Sequence, residues 1–304
     1  MSDMAETIAR QVDLPVDFAV RKHRSLWTDA WQRLISLNTA RLGMVIIGVL
    51  LLVAVLAPIV HHYDPKTDSS LRDRLKPPSR EHILGTDNLG RDVVVRLVHG
   101  ARYSLVVGIV SVGIGLIIGG ILGMLAGFAG GAVENIIMRC MDIILAFPAM
   151  LLAIAIVAVR GPGLNNTMVA VGVVFIPIFA RLARSMVLSA KEQEYITAAT
   201  CAGVTRLRIL FRHILPNILS PIIVQSTLGL GSAILWAAGL GFLGLGQQPP
   251  KPEWGAMLSD CYKFLAKGAW WVIIPPGVAI MLSVLGFNLL GDGLRDALDP
   301  RLAR

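Results

Sequence analysis

The chain has 304 residues, of which 55% are hydrophobic and 16% are charged, and its formal net charge is +8. Soluble globular proteins average about 45–50% apolar and about 25% charged residues. Together with a mean hydropathy of +0.67, this composition argues against a soluble globular protein.

Six long stretches of the chain contain no charged residue. A helix needs about 20 apolar residues to cross about 30 Å of hydrocarbon, so each stretch predicts one membrane-spanning helix. The alternative, a soluble all-α protein with buried helices, would have shorter stretches with polar faces. The six stretches are 42–60, 103–133, 143–159, 161–180, 214–250 and 268–291.

The first 41 residues are polar. The first apolar stretch begins too late for a signal peptide, so we expect it to be retained as the first span. Trp27, Trp31 and Leu34 share one face of a predicted helix, which is typical of a helix in the membrane interface with tryptophans at headgroup level. A frayed polar tail is the alternative.

The distribution of Lys and Arg indicates the orientation only weakly. With the N-terminus in the cytoplasm, 16 of these residues lie on the cytoplasmic side and 12 lie outside, which the positive-inside rule favours. A short cytoplasmic turn, residues 130–142, would join the second and third spans. The expected organisation is a cytoplasmic segment 1–41, the first span 42–60, an extracytoplasmic segment 61–102, a permease core 103–291 with five further spans, and a cytoplasmic tail 292–304.

Small residues recur every four positions in the second span. Positions four apart lie on one helix face, so another helix could approach closely there. We expect this helix-packing face to contact a partner permease; the alternative is that glycine is simply common in membrane helices. The positions are Ser111, Gly115, Gly119, Gly123 and Gly127.

Prolines within the apolar stretches predict kinks or unwound turns. They occur at Pro148, Pro177, Pro221 and the pair Pro275–Pro276. Broken backbone inside a membrane is tolerated only against protein or a water-lined path. The pattern therefore favours a moving transport subunit over a plain anchor.

The sequence has no motif for catalysis or nucleotide binding. It contains no Gly-x-x-x-x-Gly-Lys-Ser/Thr phosphate loop, so we expect no ATP hydrolysis by this chain. The predicted spans lack charges, which disfavours a proton-coupled carrier or an intramembrane protease. The sequence "HHYD" at 61–64 could suggest metal ligands, but a polar cluster at a membrane exit is the more usual role. We expect no enzyme activity, no cofactor and no metal.

A basic segment, "EYITAATCAGVTRLRILFRHILPN" at 194–217, separates the fourth and fifth spans. Gly203 can end a first short helix in a left-handed conformation, and Thr205 can cap a second helix. Pro216 would end the second helix. On it, Leu207, Leu210, Phe211 and Ile214 would form one apolar face, with Arg206, Arg208 and Arg212 on the polar side. Such a helix pair on the cytoplasmic side suits docking to a soluble partner; the alternative is a solvated basic loop beside anionic lipid.

The same segment resembles the coupling loop of ABC importer permeases. The loop pattern is Glu-Ala-Ala-x3-Gly-x9-Ile-x-Leu-Pro, and "TAATCAG" followed by "HILP" matches it at Ala198, Ala199, Gly203, Leu215 and Pro216. Thr197 replaces the glutamate and His213 replaces the isoleucine, so no charge at 197 can be assumed to pair with the ATPase.

Three further stretches are similar to the C-type permease subunit of the dipeptide/oligopeptide/nickel transport branch. They are "HILGTDNLGRDVVVRLVHGARYSL" (82–105), "GLGQQPPKPEWGAML" (244–258) and "LGDGLRDALDPRLAR" (290–304). The resemblance implies an all-α membrane protein with a type I ABC importer transmembrane fold and both termini in the cytoplasm. It also implies that the ATPase-coupling loop, 190–216, acts through Thr197, Ala198, Ala199, Gly203, Thr205, Arg206, Leu207, Leu210, Phe211, Leu215 and Pro216.

The resemblance further implies the partners. The chain would pair with a homologous second permease, bind two cytoplasmic ATP-binding subunits, and receive substrate from an extracytoplasmic binding protein; membrane lipid surrounds it and no nucleic acid is involved. The implied substrate is a di- or oligopeptide. The alternatives are nickel chelates, glutathione or sugars on the same machinery. A channel or secondary carrier would need a selectivity or coupling-ion site, and an intramembrane enzyme would need a catalytic set.

Overall fold

The computed structural model describes residues 26–60, 63 and 69–298. Over these residues the chain is helical and forms no β-strand, only an isolated bridge between Thr86 and Asp92. Short 3₁₀ helices occur at Leu71–Asp73, Tyr262–Lys267 and Trp270–Val272. The longer helices are α1 (Leu26–Ser36), α2 (Asn38–Val60), α3 (Val93–Ala129), α4 (Gly131–Leu145), α5 (Ala149–Arg160), α6 (Leu164–Lys191), α7 (Glu194–Cys201), α8 (Arg206–Phe242), α9 (Trp254–Cys261) and α10 (Ile274–Leu298).

Five helices are long and apolar enough to cross a membrane. They are α2, α3, α6, α8 and α10, the last with the short helix before it. The pair α4 and α5 passes the same test together, although the two helices meet at 89°. The all-α fold with about six membrane helices, predicted from the sequence, is confirmed.

The third predicted span is not one helix. Pro148 lacks a backbone N–H and disfavours helical geometry at Phe147, so α4 ends at Leu145 and α5 begins at Ala149. The expectation of one continuous helix over 143–159 is therefore wrong, whereas the break lies at Pro148, where the sequence predicts a kink or an unwound turn; the bent pair still has the length and composition of one broken span. Pro177 and Pro221 lie inside α6 and α8, whereas Pro275 and Pro276 lie in the first turn of α10, where a missing N–H costs nothing.

The expectation of a short turn at 130–142 is also wrong, because this stretch forms most of α4. The helix is amphipathic and lies against α6, with Met141 buried beside Ile176 and Ala180. On its polar side Asp142 Oδ1 lies 2.6 Å from Arg181 Nη2, and Glu134 pairs with Arg184. Tertiary packing on α6 thus makes a helix where the charged residues indicated a loop.

The small residues of α3 pack directly on α6 of the same chain. A methyl group at Gly119 would overlap the carbonyl oxygen of Ile176, and one at Gly123 would overlap the backbone of Ala180. Gly115 faces Phe175 in the same way, and Gly127 faces the carbonyl of Arg184 and the side chain of Val187. At the fifth position, Ser111 Oγ donates a hydrogen bond to the Met168 carbonyl at 3.1 Å. The expected contact of this face with a partner permease is therefore wrong, because α6 already occupies it.

The core continues from α3 and α6 to α8, where Phe175, Phe179 and Leu240 are buried together. On the other side of α8, helix α10 packs against both α8 and α2. Gly291 faces the side chain of Leu228, and Gly286 faces that of Ile46. The fold is therefore built around closely approaching helix backbones, as expected where lipid supplies no hydrophobic drive for helix association.

Helix α1 packs against the end of α10. Leu34 is buried with Ala40 and Ala297, and Trp31 is exposed. Trp31 and Leu34 therefore do not share one face as expected, because Leu34 is buried in the protein and Trp31 is exposed. The side chain of Trp27 lies outside the described part.

Candidate coupling segment and outer anchor

The coupling segment, defined here as residues 194–216, follows directly on α6. The α6 helix ends at Lys191, whose ammonium donates hydrogen bonds of 3.2 Å to the carbonyls of Gly127 and Phe128 at the end of α3. A cation is favourable beside the unpaired carbonyls of a helix C-terminus. The ends of α3 and α6 are thereby held together where the coupling segment begins.

Gly203 turns the chain between α7 and α8. Its φ is +77°, which is the left-handed conformation that the sequence predicts. The Val204 N–H donates to the carbonyl of Ala199 at 3.1 Å, and the Gly203 N–H donates to that of Thr200 at 3.0 Å. These two bonds form a Schellman motif, which satisfies the last carbonyls of α7. The angle between the two helices therefore depends on a glycine at this position.

One side of the segment is packed into the core between the helices of the chain. Ile196 of α7 and Leu210 and Ile214 of α8 are buried with Val187 of α6 and Ile218 further along α8. At the outer edge of this cluster, Asn217 Nδ2 donates to the Tyr195 hydroxyl at 3.1 Å and to the His213 carbonyl at 2.6 Å. A displacement of the segment would therefore be transmitted to α6 and to the rest of α8.

The other side of the segment is exposed. The side chains of Leu207 and Phe211 are 68% and 58% exposed, and Arg206, Arg208 and Arg212 are exposed around them. The expected single apolar face is therefore wrong, because Leu210 and Ile214 point inward while the other two members point outward. Residues Ile209–Ile214 form a π-helical turn, and its wider i→i+5 bonding shifts the register away from α-helical spacing.

The remaining predicted coupling residues lie on or beside this exposed surface. Thr197 and Ala198 are exposed on α7, and Ala199 is half-buried. Thr205 occupies the N-cap position of α8, but its side chain makes no capping hydrogen bond, so the cap predicted from the sequence is absent. Leu215 is half-buried and Pro216 is exposed. Pro216 does not end a helix as expected, since α8 continues through it to Phe242.

A second set of polar residues, which the sequence analysis missed, fixes the loops at the opposite end of the helices. The Asp87 carboxylate lies 2.6 Å from Arg91 Nε and 2.6 Å from Arg96 Nη1, and all three side chains are buried. Arg96 Nη2 also lies 3.2 Å from the Asp260 carboxylate. This ion network joins the loop before α3 to α9, across 164 positions of sequence. A buried charge is tolerated only when paired in this way.

Glu253, also missed by the sequence analysis, anchors the loop before α9. Its carboxylate accepts hydrogen bonds from the backbone N–H groups of Gly255 and Ala256, at 2.8 and 2.9 Å, and from the Ser104 hydroxyl of α3 at 3.2 Å. Burial raises the pKa of Glu253 above its ordinary value, and the hydrogen bonds oppose this shift. We call Glu253 and the ion network together the outer anchor.

Neither set has the composition of a reactive centre. Within the described ranges, no group of three His, Cys, Asp or Glu side chains could hold a metal ion. The "HHYD" sequence falls outside them except for Tyr63. The coupling segment presents exposed apolar and basic side chains, and the outer anchor is held by buried ion pairs and hydrogen bonds.

The fold identifies the class of protein. The structure is similar to a chain of the inward-facing MetNI methionine ABC transporter, with a TM-score of 0.56 and 21% identity, over 68% of this chain and 97% of that chain. At this identity the likeness shows the fold, which is that of a type I ABC importer transmembrane subunit.

Sequence comparison then shows the family. Residues 119–304 match the family model of the binding-protein-dependent transport system inner membrane component, and residues 25–78 match the N-terminal membrane domain of oligopeptide transport permease C. The chain belongs to the family of binding-protein-dependent transport system inner membrane components. It is an integral membrane transport permease of the ABC type, which confirms the resemblance read from the sequence.

Its relatives include peptide permeases. The chain is 51% identical to the dipeptide transport system permease protein DppC of Alkalihalophilus pseudofirmus, over 91% of both chains. It is 50% identical to the di/tripeptide transport system permease protein DppC of Pseudomonas aeruginosa, over 90% of this chain and 91% of that protein. It is 46% identical to the glutathione transport system permease protein GsiD of Pectobacterium atrosepticum, over 92% of both.

Proposed function

We propose that this chain is one of two permease subunits of an importer that carries di- or oligopeptides across the cell (inner) membrane with energy from ATP. The observation that carries the proposal is the coupling segment, in which exposed Leu207 and Phe211 are fixed to the membrane helices by buried Leu210 and Ile214. A surface that is exposed in this chain and rigidly joined to its spans suits a partner that delivers mechanical work.

The partner that fits this surface is a soluble ATPase. The chain has no phosphate-binding loop of its own, so nucleotide binding and hydrolysis would reside in two separate cytoplasmic subunits. One of them would cover Leu207 and Phe211 in an apolar pocket, with Arg206 and Arg212 at the rim. Thr197 stands where the family pattern has a glutamate, so apolar contact and the arginines would supply the attachment.

Movement of the ATPases would reach the membrane through α8. This helix runs from Arg206 to Phe242 without a break, so a displacement at Leu207 tilts its whole length. The α6 helix is carried along, because Val187 is buried in the same cluster as Ile196 and Leu210. Alternating access would follow from tilting these spans against those of the second, homologous permease.

We propose the following orientation of the chain in the membrane. With the coupling segment in the cytoplasm, both termini are cytoplasmic, and the outer anchor faces an extracytoplasmic substrate-binding protein. The proposed organisation is a segment 1–41, a first span 42–60, an outer segment 61–102, a core 103–291 and a tail 292–304. No cofactor, metal or nucleic acid is required.

The named substrates of the relatives support peptides as the cargo. Two of the relatives compared above are named for dipeptides or for di- and tripeptides, at 50% identity or more. The 46% identity to a glutathione permease makes glutathione the second candidate, since glutathione is itself a short peptide. Nickel chelates and sugars are the remaining alternatives for the same machinery.

Reconstitution tests the proposal. The chain is assembled with its second permease, two ATPases and binding protein in lipid vesicles, and the uptake of a labelled dipeptide, glutathione and a nickel chelate is compared. We expect ATP-dependent dipeptide uptake. Uptake that persists without ATP would indicate a channel or carrier instead.

A matched pair of variants tests the docking surface. Phe211→Ala should release the ATPases during purification, whereas Ile83→Ala, at an even more exposed apolar residue on the proposed outer side, should retain them. Equal retention by both variants would contradict the role assigned to the coupling segment.

A further inference from the structure

A groove of about 480 Å³ lies between the middle of α8 and the last turns of α10. Its α8 side is a helical stripe, in which positions three or four residues apart face the same way. The lining of the groove includes Asn217, Ser220, Pro221, Gln225, Leu228 and Arg295. The groove thus begins beside the coupling segment and extends into the membrane-spanning part of α8.

Two polar side chains of the groove have no partner among the described residues. Other hydroxyls in the same helices are satisfied locally: Ser226 donates to the carbonyl of Ile222 at 2.8 Å, and Ser283 donates to that of Ala279 at 2.8 Å. Ser220 and Gln225, by contrast, form no side-chain hydrogen bond within the described part of the chain. Polar groups at membrane depth are costly in hydrocarbon and mark pathways rather than lipid-facing surfaces.

The backbone of the groove adds an acceptor. Pro221 has no N–H, so the carbonyl of Asn217, four residues earlier, lacks its usual α-helical donor. A carbonyl without this donor can accept a hydrogen bond from an ammonium group. Pro221 therefore leaves the Asn217 carbonyl available as a hydrogen-bond acceptor, whereas any other residue at position 221 would occupy it with a backbone N–H.

Arg295 supplies a positive charge at the α10 side. Its side chain is exposed, and no carboxylate in the described ranges pairs with it. A guanidinium binds a carboxylate by two parallel hydrogen bonds. A cation near the C-terminal end of α10 also interacts favourably with the helix dipole. The helix dipole does not explain why Arg295 lines the same groove as Ser220 and Gln225.

We propose that this groove is the contribution of this chain to the translocation path and that it binds zwitterionic short peptides in transit. The assignment rests on the proposed function. The Asn217 carbonyl receives the peptide ammonium, Ser220 and Gln225 exchange hydrogen bonds with the peptide amide, and Arg295 binds the terminal carboxylate. Ser220 and Gln225 are separated by about 7.5 Å along the helix axis, which is about the length of two extended residues.

Cysteine accessibility tests the groove in the assembled transporter. Gln225→Cys is introduced into a chain whose own cysteines are replaced (Cys140→Ser, Cys201→Ser, Cys261→Ala). The matched control is Val49→Cys, at an exposed apolar position of α2. In vesicles, a charged, water-soluble thiol reagent should label position 225 at least about ten times faster than position 49, and a dipeptide should slow labelling at 225 several-fold.

Two outcomes would overturn the proposal. Labelling at 225 that is as slow as at 49 would mean that lipid or the second permease covers the groove. Fast labelling that dipeptide does not slow, in a complex that imports dipeptide, would mean a water-filled crevice that binds no peptide. Dipeptide uptake by the wild-type complex is measured before the labelling experiments. If the wild type imports no peptide, the proposed function itself is wrong.

A variant with the native cysteines gives an independent measurement. Gln225→Leu should raise the KM for dipeptide uptake several-fold while the ATPase activity stimulated by the loaded binding protein is retained. Ser226→Ala, one position further on the same helix and satisfied by its own backbone, is the control and should leave KM unchanged. An unchanged KM in Gln225→Leu would also overturn the proposal.

Discussion

Gly123 of α3 lies against the backbone of Ala180 in α6, with no space between them for a side chain. We therefore expect Gly123→Leu to destabilise the chain itself, by about 1–3 kcal/mol as for an overpacked core. Thermal unfolding of the purified chain in detergent measures this. Gly113→Ala is the control, because a methyl group at Gly113 meets nothing within 4 Å. A normal unfolding temperature combined with failed assembly would show that this face contacts a second permease after all.

Removal of Asp87 tests the outer anchor. Asp87→Ala would leave the guanidinium groups of Arg91 and Arg96 buried without their main counter-charge, and breaking such a pair costs about 3–5 kcal/mol. We expect a large fall in unfolding temperature. Asp73→Ala serves as the control, because its partner Lys76 is exposed and surface pairs contribute little. Similar unfolding temperatures for the two variants would contradict a stabilising role for the network.

Glu253 makes stability depend on pH. Burial raises the pKa of its carboxyl above the ordinary 4.5, so the folded state binds the proton more tightly than the unfolded state. The contribution of this group to stability is therefore complete below pH 4.5 and is lost as pH rises through the folded-state pKa. We expect the Glu253→Gln variant to lose this part of the pH dependence. Parallel unfolding temperatures of variant and wild type from pH 4.5 to 8 would contradict the assignment.

The orientation of the chain is tested by reporter fusions. A reporter after Arg304 should be cytoplasmic, and one at Asp73 should be extracytoplasmic, because the coupling segment and both termini are proposed to share one side. An enzyme that is active on only one side of the membrane gives the readout. An extracytoplasmic C-terminus would contradict the proposed organisation and would place the coupling segment out of reach of a cytoplasmic ATPase.

Features that depend on neighbouring residues in the chain could be predicted from the sequence. Uncharged stretches of span length predicted the membrane helices, since charges in hydrocarbon are costly. Gly203 was predicted to adopt a left-handed conformation, since few other residues do so without strain. The four-residue spacing in α3 predicted a close helix contact, although it gave no information about which helix makes it.

Features set by tertiary contacts were not predictable in this way. Pro148 separates two helices at 89° while Pro177 lies inside α6, and nothing local distinguishes them. Asp87 and Asp260 meet through Arg96 across a long sequence separation, which no local spacing reveals. The outward position of Phe211 depends on a π-helical turn that helical periodicity does not anticipate.

We expect energy coupling to depend on the left-handed conformation of Gly203. At a φ of +77°, a side chain costs about 1–2 kcal/mol, and a β-branched side chain is the least tolerated. Gly203→Val should therefore misalign α7 and α8 and displace Leu207 and Phe211 relative to the ATPase. Membrane insertion should be normal, because the helices that span the membrane are unchanged.

Uptake and ATP hydrolysis, measured together in reconstituted vesicles, separate the consequences of this change. We expect Gly203→Val either to lose its ATPases or to hydrolyse ATP without accumulating substrate. Gly203→Asn is the matched control and should retain more activity, because asparagine adopts the left-handed conformation more readily than valine. A methyl group at Gly203 meets nothing within 4 Å, so steric overlap with a neighbour cannot account for a difference between the two variants. Full uptake by Gly203→Val, with normal stimulation of ATPase activity by the loaded binding protein, would show that the segment is a solvated basic loop beside lipid rather than the coupling element.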